Sequence, residues 1–298
     1  MAETSSGALA PWRQRFEQAR ADLLDGRHVL DLRTQLAKHT DEPVVLSDRV
    51  ALGRARRVGV FAGSFNPQTV AHAAVAEAAR AAAHLDALLW ALARVTVDKE
   101  RVERAMLADR MVQLVAYCRA TVPGDAVIAL DPGLYADQAE VVRGLLAPDA
   151  ELWLIVGYDK VVQILDPRYY ADRDAALRRL FAAAGLLVAP RAGQGADELR
   201  ALLSRAENQP FAAGIRVLPV PGTLAEIAST AARRLLAGAR APDGAAEYEA
   251  LARTLTPEGA ALGLATGAYE VARPVPDGTL VDRYGARLAW LDALAGSA

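Results

Sequence analysis

The stretch that decides the fold runs Val58-Gly59-Val60-Phe61-Ala62-Gly63-Ser64-Phe65-Asn66-Pro67-Gln68-Thr69-Val70-Ala71-His72. Val58 to Ala62 is an apolar run too short for a helix and reads as a buried strand. Gly63 ends it and allows close backbone approach to a ligand, and Asn66-Pro67 turns the chain. Beyond Thr69 the alanine-rich run Ala71 to Ala83 has high helix propensity, with Thr69 placed as its N-cap. Thr69 and His72 are three apart and share a face of the first turn, beside unpaired backbone N–H groups and the positive end of the helix dipole. That is an anion cradle with a histidine in it. The bland alternative for the same residues is a strand, a turn and a capped helix carrying a partly exposed histidine.

The 298 residues exceed one typical domain, which implies one large α/β domain with additions, or two domains. A hydrophobic content of 53% with 23% charged residues, and no apolar run as long as a bilayer span, indicates a soluble globular protein. Met1 to Gln18 is polar and lacks the apolar core of a secretory peptide, and the single Cys118 fits a reducing cytoplasm. A net charge of −2 argues against a general nucleic-acid or anionic-membrane surface, so any phosphate binding must be local. Only three of the 34 basic residues are lysines (Lys38, Lys99 and Lys160), so each stands out a little.

Upstream of the central strand, residues 1–56 read as a helical extension, with helices over Trp12 to Leu24 and Val29 to Ala37 and a short extended segment at Val44 to Leu46. Downstream, strand signals recur at Ala87 to Val97, Ala126 to Leu130, Glu151 to Gly157, Gly185 to Arg191 and Ile215 to Val220. The first of these is ambiguous, because Leu88 to Leu92 also suits a helix. Helical patterns fall at Ala105 to Arg119, Gln138 to Leu146 and Asp174 to Ala184. Strands alternating with helices at this spacing imply a parallel sheet with right-handed crossovers, and ligands gather at the carboxyl ends of such strands. Gly63 and Gly157 both end strands on that edge. A second anion site is suggested at Ser229-Thr230-Ala231-Ala232-Arg233, where Ser229 or Thr230 can cap a helix and Arg233 lies in its first turns. Ala241 to Ala246 reads as a linker, Thr256-Pro257 as a helix start, Tyr269 to Tyr284 as a hairpin around Pro276-Asp277-Gly278, and Ala286 to Leu294 as a closing helix.

Taken in order, these motifs resemble the nicotinamide/nicotinic acid mononucleotide adenylyltransferases, nucleotidyltransferases with an [H/T]-x-G-H signature. Gly63-Ser64-Phe65-Asn66-Pro67 with Thr69-Val70-Ala71-His72 is similar to the opening motif, and Ser229-Thr230-Ala231-Ala232-Arg233 to the closing S-T-x-x-R. Between them, Gly157-Tyr158-Asp159 resembles the G-x-D turn and Asp109-Arg110-Met111 the His-Arg helix start. Lys99 falls where a phosphate-contacting lysine is found, and Val188 to Arg191 matches a strand ending in arginine. The likeness covers roughly residues 57 to 240. Ala71 stands in place of the signature glycine, Asn66 in place of the bacterial aspartate, and Ala228 in place of one serine.

The resemblance implies a Rossmann-like parallel sheet with helices on both faces over 57–240, flanked by a helical extension (1–56) and a C-terminal helix, hairpin and closing helix (241–298). It implies adenylyl transfer from ATP to the 5′-phosphate of nicotinic acid or nicotinamide mononucleotide. His72, Thr69, Lys99 and Arg233 would carry the chemistry, and Gly63, Ser64, Phe65, Ser229 and Thr230 would complete the ATP site. Gly157, Asp159, Tyr169 (or Tyr170), Arg191 and Arg110 would receive the mononucleotide. No His, Cys and carboxylate cluster suggests a metal cage, so Mg²⁺ is expected to arrive with ATP. Neither nucleic acid nor membrane is expected as a partner, and a homo-oligomer stays open. Two other readings remain: transfer to another phosphorylated acceptor such as phosphopantetheine or a sugar or polyol phosphate, and a non-catalytic nucleotide-binding regulator on the same fold. A class I aminoacyl-tRNA synthetase is disfavoured, since no K-M-S-K-S-like loop is present.

Overall fold

The protein is described by a computed structural model over residues 3–39, 42–46, 49–94, 104–130, 135–190, 194–225, 227–239, 245–274 and 280–297. Seven strands form one sheet: β1 (Val44–Leu46), β2 (Arg57–Ala62), β3 (Ala87–Ala93), β4 (Ala126–Leu130), β5 (Glu151–Gly157), β6 (Gly185–Ala189) and β7 (Ile215–Val217). Their order is β1-β4-β3-β2-β5-β6-β7, and every neighbour is parallel except the β1–β4 pair. The ambiguous apolar run of β3 is a strand because it lies between β2 and β4, and such a strand, covered on both faces, shows no alternation.

The helices are α1 (Glu3–Leu24), α2 (Gly26–Lys38), α3 (Arg49–Arg54), α4 (Val70–Ala83), α5 (Leu107–Thr121), α6 (Tyr135–Arg143), α7 (Tyr158–Leu165), α8 (Arg173–Ala183), α9 (Ala196–Leu203), α10 (Gly222–Ala225), α11 (Ser229–Gly238), α12 (Ala245–Ala252), α13 (Pro257–Thr266) and α14 (Arg283–Ala295). Phe61, Trp90, Trp153 and Ile155 look into one layer, shared with α1, α2, α4, α5, α11, α13 and α14. Val58, Val60, Leu89 and Leu154 look into the other, shared with α6 to α9. Both chain ends therefore cover the same sheet face as α4. None of the described helices is long and apolar enough to cross a membrane.

Several local readings change. Helix α2 begins at Gly26 rather than Val29, because the Asp25 carboxylate accepts the Arg27 and His28 N–H groups as an N-cap. Helices α7, α9 and α12 were not evident from periodicity; each spans only eight residues. The cap of α11 is Ala228, not Ser229 or Thr230. A hairpin does form, with Arg273–Pro274 (β8) antiparallel to Leu280–Val281 (β9), while its turn and most of the expected linker lie outside the described residues.

The order of the sheet fixes where a ligand can sit. From β2 the chain steps to β3 and β4 on one side, then returns to the other side of β2 as β5. Phe61 pairs with Ile155, so Gly63 and Gly157 leave the sheet side by side at this switch.

Candidate active site

The loop between β2 and α4 is held from all sides. A Cβ on Gly63 would stand 2.8 Å from the Phe65 ring, so only glycine fits under that ring. Phe65 itself has φ 43°, a left-handed conformation that costs an L-residue about 1–2 kcal/mol. Its ring is fully buried, 5.3 Å from those of Phe61 and Trp90 and 5.1 Å from His72. Burial of a phenyl group stabilises by about 1.5–3 kcal/mol, enough to offset the backbone cost. Phe65, expected at the ATP, instead forms the floor on which the histidine stands.

Thr69 caps α4, and its buried backbone N–H donates to His72 Nδ1 at 3.0 Å; its hydroxyl lies 2.9 Å from the same nitrogen. Because Nδ1 accepts, the neutral ring carries its proton on Nε2, which is thereby a donor. Thr69 is fully buried, so it orients the histidine rather than meeting phosphate directly.

The second motif docks on this loop. Ser229 Oγ donates to Pro67 O at 3.1 Å, and Arg233 Nη1 donates to Asn66 O at 2.8 Å. Arg233 Nη2 also donates to Thr230 Oγ1 at 3.0 Å, which orients the guanidinium. The two anion-type helix starts, some 160 residues apart in sequence, are thus joined directly. Beside them lies an open depression of about 370 Å³ lined by Arg104, Thr230, Arg233, Arg234 and Tyr269, with three guanidinium groups and, among the described lining residues, no carboxylate, although Arg104 is also paired with Asp282. That is room for a phosphate chain in a positive surround.

Arg110 is buried behind the loop, where Nη1 donates to Ser64 O and Nε to Ala105 O, both at 3.0 Å. Burial pulls its guanidinium below the ordinary value, against the opposing influence of Tyr269, Tyr284 and Asp109. It braces the loop rather than projecting toward a mononucleotide. Asp159 is exposed in the first turn of α7, directly after Gly157 at the switch point. Tyr169 is 47% exposed, whereas the Tyr170 hydroxyl is tied to Ile164 O at 2.8 Å, so of the two rings Tyr169 is the one open to solvent. Lys99 and Arg191 lie outside the described residues.

Four supporting groups were missed at the level of sequence. Asn66 is nearly buried: its Nδ2 donates to Arg104 O at 2.9 Å and its Oδ1 accepts from Ala105 N at 3.3 Å and from the Tyr269 hydroxyl. Gln113 donates to Phe65 O at 2.5 Å and accepts from Gln68 N at 3.2 Å. Thr256 donates to Gln68 Oε1 at 3.1 Å, and Val70 N donates to Thr254 O at 3.1 Å, bringing the start of α13 against the loop. Glu258, buried in α13, receives two hydrogen bonds from Arg15 of α1 at 2.9 and 3.0 Å. Burial raises its carboxyl above the ordinary value, with Arg15 opposing. Asn66, in the motif itself, and Thr256, at a readable helix start, carried a sequence signal, though neither announced its partner.

No protein-family model matches the chain. A protein of Gloeobacter violaceus named probable nicotinate-nucleotide adenylyltransferase is 31% identical over 192 residues, which are 62% of this chain and 86% of that protein. The chain belongs to the nicotinate-nucleotide adenylyltransferase family. A relative of the same name from Laribacter hongkongensis is 30% identical over 150 residues, 48% of this chain and 63% of its own. In structure, the nicotinic acid mononucleotide adenylyltransferase of Plasmodium falciparum complexed with NaAD superposes with a TM-score of 0.52 at 14% identity, covering 72% of this chain and 97% of that one. At that identity the superposition speaks for the fold, an adenylyltransferase-type α/β sheet.

Proposed function

We propose that this protein transfers the adenylyl group of ATP to the 5′-phosphate of nicotinic acid mononucleotide, giving the dinucleotide and pyrophosphate. The observation that carries the reading is the junction of the two helix starts. His72, turned to donate through Nε2, and Arg233 with Thr230, turned toward the same loop, gather donors for one phosphate chain.

A phosphate oxygen of the mononucleotide attacks the α-phosphorus, and the bond from that phosphorus to the bridging oxygen of the β-phosphate breaks. The nucleophile is already anionic at neutral pH, so orientation and charge stabilisation carry the catalysis. His72 donates to the α-phosphate oxygens as negative charge shifts. Arg233, Ser229 and Thr230, with Lys99, neutralise the departing pyrophosphate, and Gly63 and Ser64 let the backbone come close. Asp159 and Gly157 contact the acceptor ribose, Tyr169 stacks on the pyridine ring, and Arg191 takes the acceptor's phosphate or ring carboxylate.

The groups about the loop are hydroxyls, an imidazole and guanidinium ions, a set suited to phosphate rather than to a cation, and no cluster of three carboxylate, His or Cys ligands occurs among the described residues. Mg²⁺ bound to ATP would be held mainly by phosphate oxygens and water, and would supply charge neutralisation there. Cys118 is buried and burial pushes its thiol up, as suits an unreactive core residue of a cytoplasmic enzyme.

The test is pyrophosphate release from Mg-ATP with nicotinic acid mononucleotide and nicotinamide mononucleotide offered separately. Faster turnover with the acid, measured as kcat/KM, is expected. Release with neither acceptor rejects the proposal.

A further inference from the structure

Asn66 is the point at which three distant parts of the chain meet in the phosphate loop. Its backbone oxygen receives Arg233, its side-chain nitrogen donates to Arg104 O, and its side-chain oxygen receives Ala105 N and the Tyr269 hydroxyl. Two donors on one end of the amide and an acceptor on the other permit a single orientation of that group. The carbonyl that seats Arg233 belongs to the same residue, so a displacement of Asn66 as a whole carries the guanidinium with it.

Tyr269 follows the left-handed Gly267 that ends α13, in a segment far outside the motifs. Its ring shares the wall of the depression with Arg104, Arg233 and Arg234. Arg110, Arg233 and Asp109 are its charged neighbours, and burial raises its phenol against the two guanidinium groups, so the hydroxyl remains a donor through the working range of pH. An aspartate at position 66 would still accept from Tyr269 but would lose the donor to Arg104 O; the amide and the phenol form a matched pair.

We propose that Tyr269 is a positioning residue for adenylyl transfer: its hydroxyl sets the Asn66 amide and, through the Asn66 carbonyl, the Arg233 guanidinium that meets the departing phosphates. This rests on the adenylyl-transfer reading of the site. The rival account makes Tyr269 a tether for the turn after α13, and a tether would affect thermal stability and both substrates alike.

The test is Tyr269→Phe, which keeps the ring and removes one oxygen. Expected is a loss of about fivefold to tenfold in kcat/KM for ATP, the scale of one hydrogen bond, with KM for the mononucleotide within twofold and the melting temperature lowered by no more than about a few degrees. In an Arg233→Lys background the same change should cost less than in the unaltered protein, because the group it positions is already displaced. Full kcat/KM in Tyr269→Phe overturns the proposal, as does an equal loss in both backgrounds. Should the unaltered protein turn over no mononucleotide, the functional reading fails separately, and the dissociation constant of a non-hydrolysable ATP analogue decides for Tyr269. A severalfold weakening in Tyr269→Phe supports the role, and equal affinity overturns it.

Discussion

Gly259→Ala tests whether α13 sets the shape of the phosphate loop. A Cβ at 259 would stand 2.0 Å from the Gln68 carbonyl oxygen and 3.0 Å from its carbon, where ordinary contact begins at 3.4 Å. The struck atoms are backbone, one residue before the cap of α4, so no rotamer change relieves the overlap. Either α13 or the loop must retreat by more than about 1 Å, a misplacement that costs roughly 100-fold in a positioned reaction. Overpacking costs about 1–3 kcal/mol, while alanine gains about 1 kcal/mol over glycine within a helix, so the net loss of stability stays modest. Activity should therefore fall far more than the melting temperature. Gly263→Ala is the internal control. The three atoms nearest its Cβ all belong to the Leu236 side chain, from 2.6 to 3.0 Å, with no backbone atom of the phosphate loop among them. The assay is kcat for pyrophosphate release beside thermal melting for both variants. If Gly259→Ala keeps kcat within threefold of the unaltered protein, the claim that α13 shapes the loop is refuted.

His72→Ala removes the Nε2 donor and should lower kcat by roughly 100- to 1,000-fold, with ATP-analogue binding measured alongside; near-normal turnover would remove His72 from the mechanism. Tyr169→Ala should raise KM for the mononucleotide by about tenfold or more through lost stacking, while KM for ATP holds. Tyr170→Phe, which loses only the tie to Ile164 O, should move either value by no more than a few-fold. Asp282 is held below the usual carboxylate range by its hydrogen bonds from Arg104 and the Gly285 N–H, so its contribution to stability is present above its unfolded value and lost as pH falls through the lower folded value. Asp282→Asn should accordingly lower the melting temperature at pH 7, and the gap should close as the medium is acidified below pH 3.8; a gap that is constant with pH would contradict this.

The sheet and the two anion-binding helix starts are legible in the sequence because their signals are local. Five residues of apolar strand, a glycine and a capped alanine-rich helix announce β2 and α4 without reference to the rest of the chain. Ser229 to Arg233 shows the same economy, though the cap residue is displaced by one position because both hydroxyls have partners elsewhere. What stays hidden is long-range. The side-chain and backbone partners of Asn66 lie 38, 167 and 203 residues away, at distances where periodicity carries nothing. Phe65 and Arg110 show the opposite case. Both sit within motifs, yet their side chains turn inward to support the groups that face the ligand.

The same bonds bear on where the working unit ends. Asn66, Gln68 and Thr69 are polar and almost wholly enclosed, and each buried group left without a partner costs about 1–3 kcal/mol. Some of their partners come from within the Rossmann-like region, in Arg104, Gln113 and Arg233. Others come from beyond residue 240: Tyr269 for Asn66, Thr256 for Gln68, and Leu255 in a bridge with Thr69. The latter segment is clamped in turn by α1 through Arg15 and Glu258, and by Arg287 of α14, which donates to the buried Asp109 at the head of α5. The boundary at 240 that the resemblance implies is crossed by hydrogen bonds that hold the phosphate loop. Helices α1, α2, α13 and α14 lie on the face of the sheet that carries α4, where they supply enclosure that the short loop cannot supply for itself, while Leu52 of α3 packs against the opposite face.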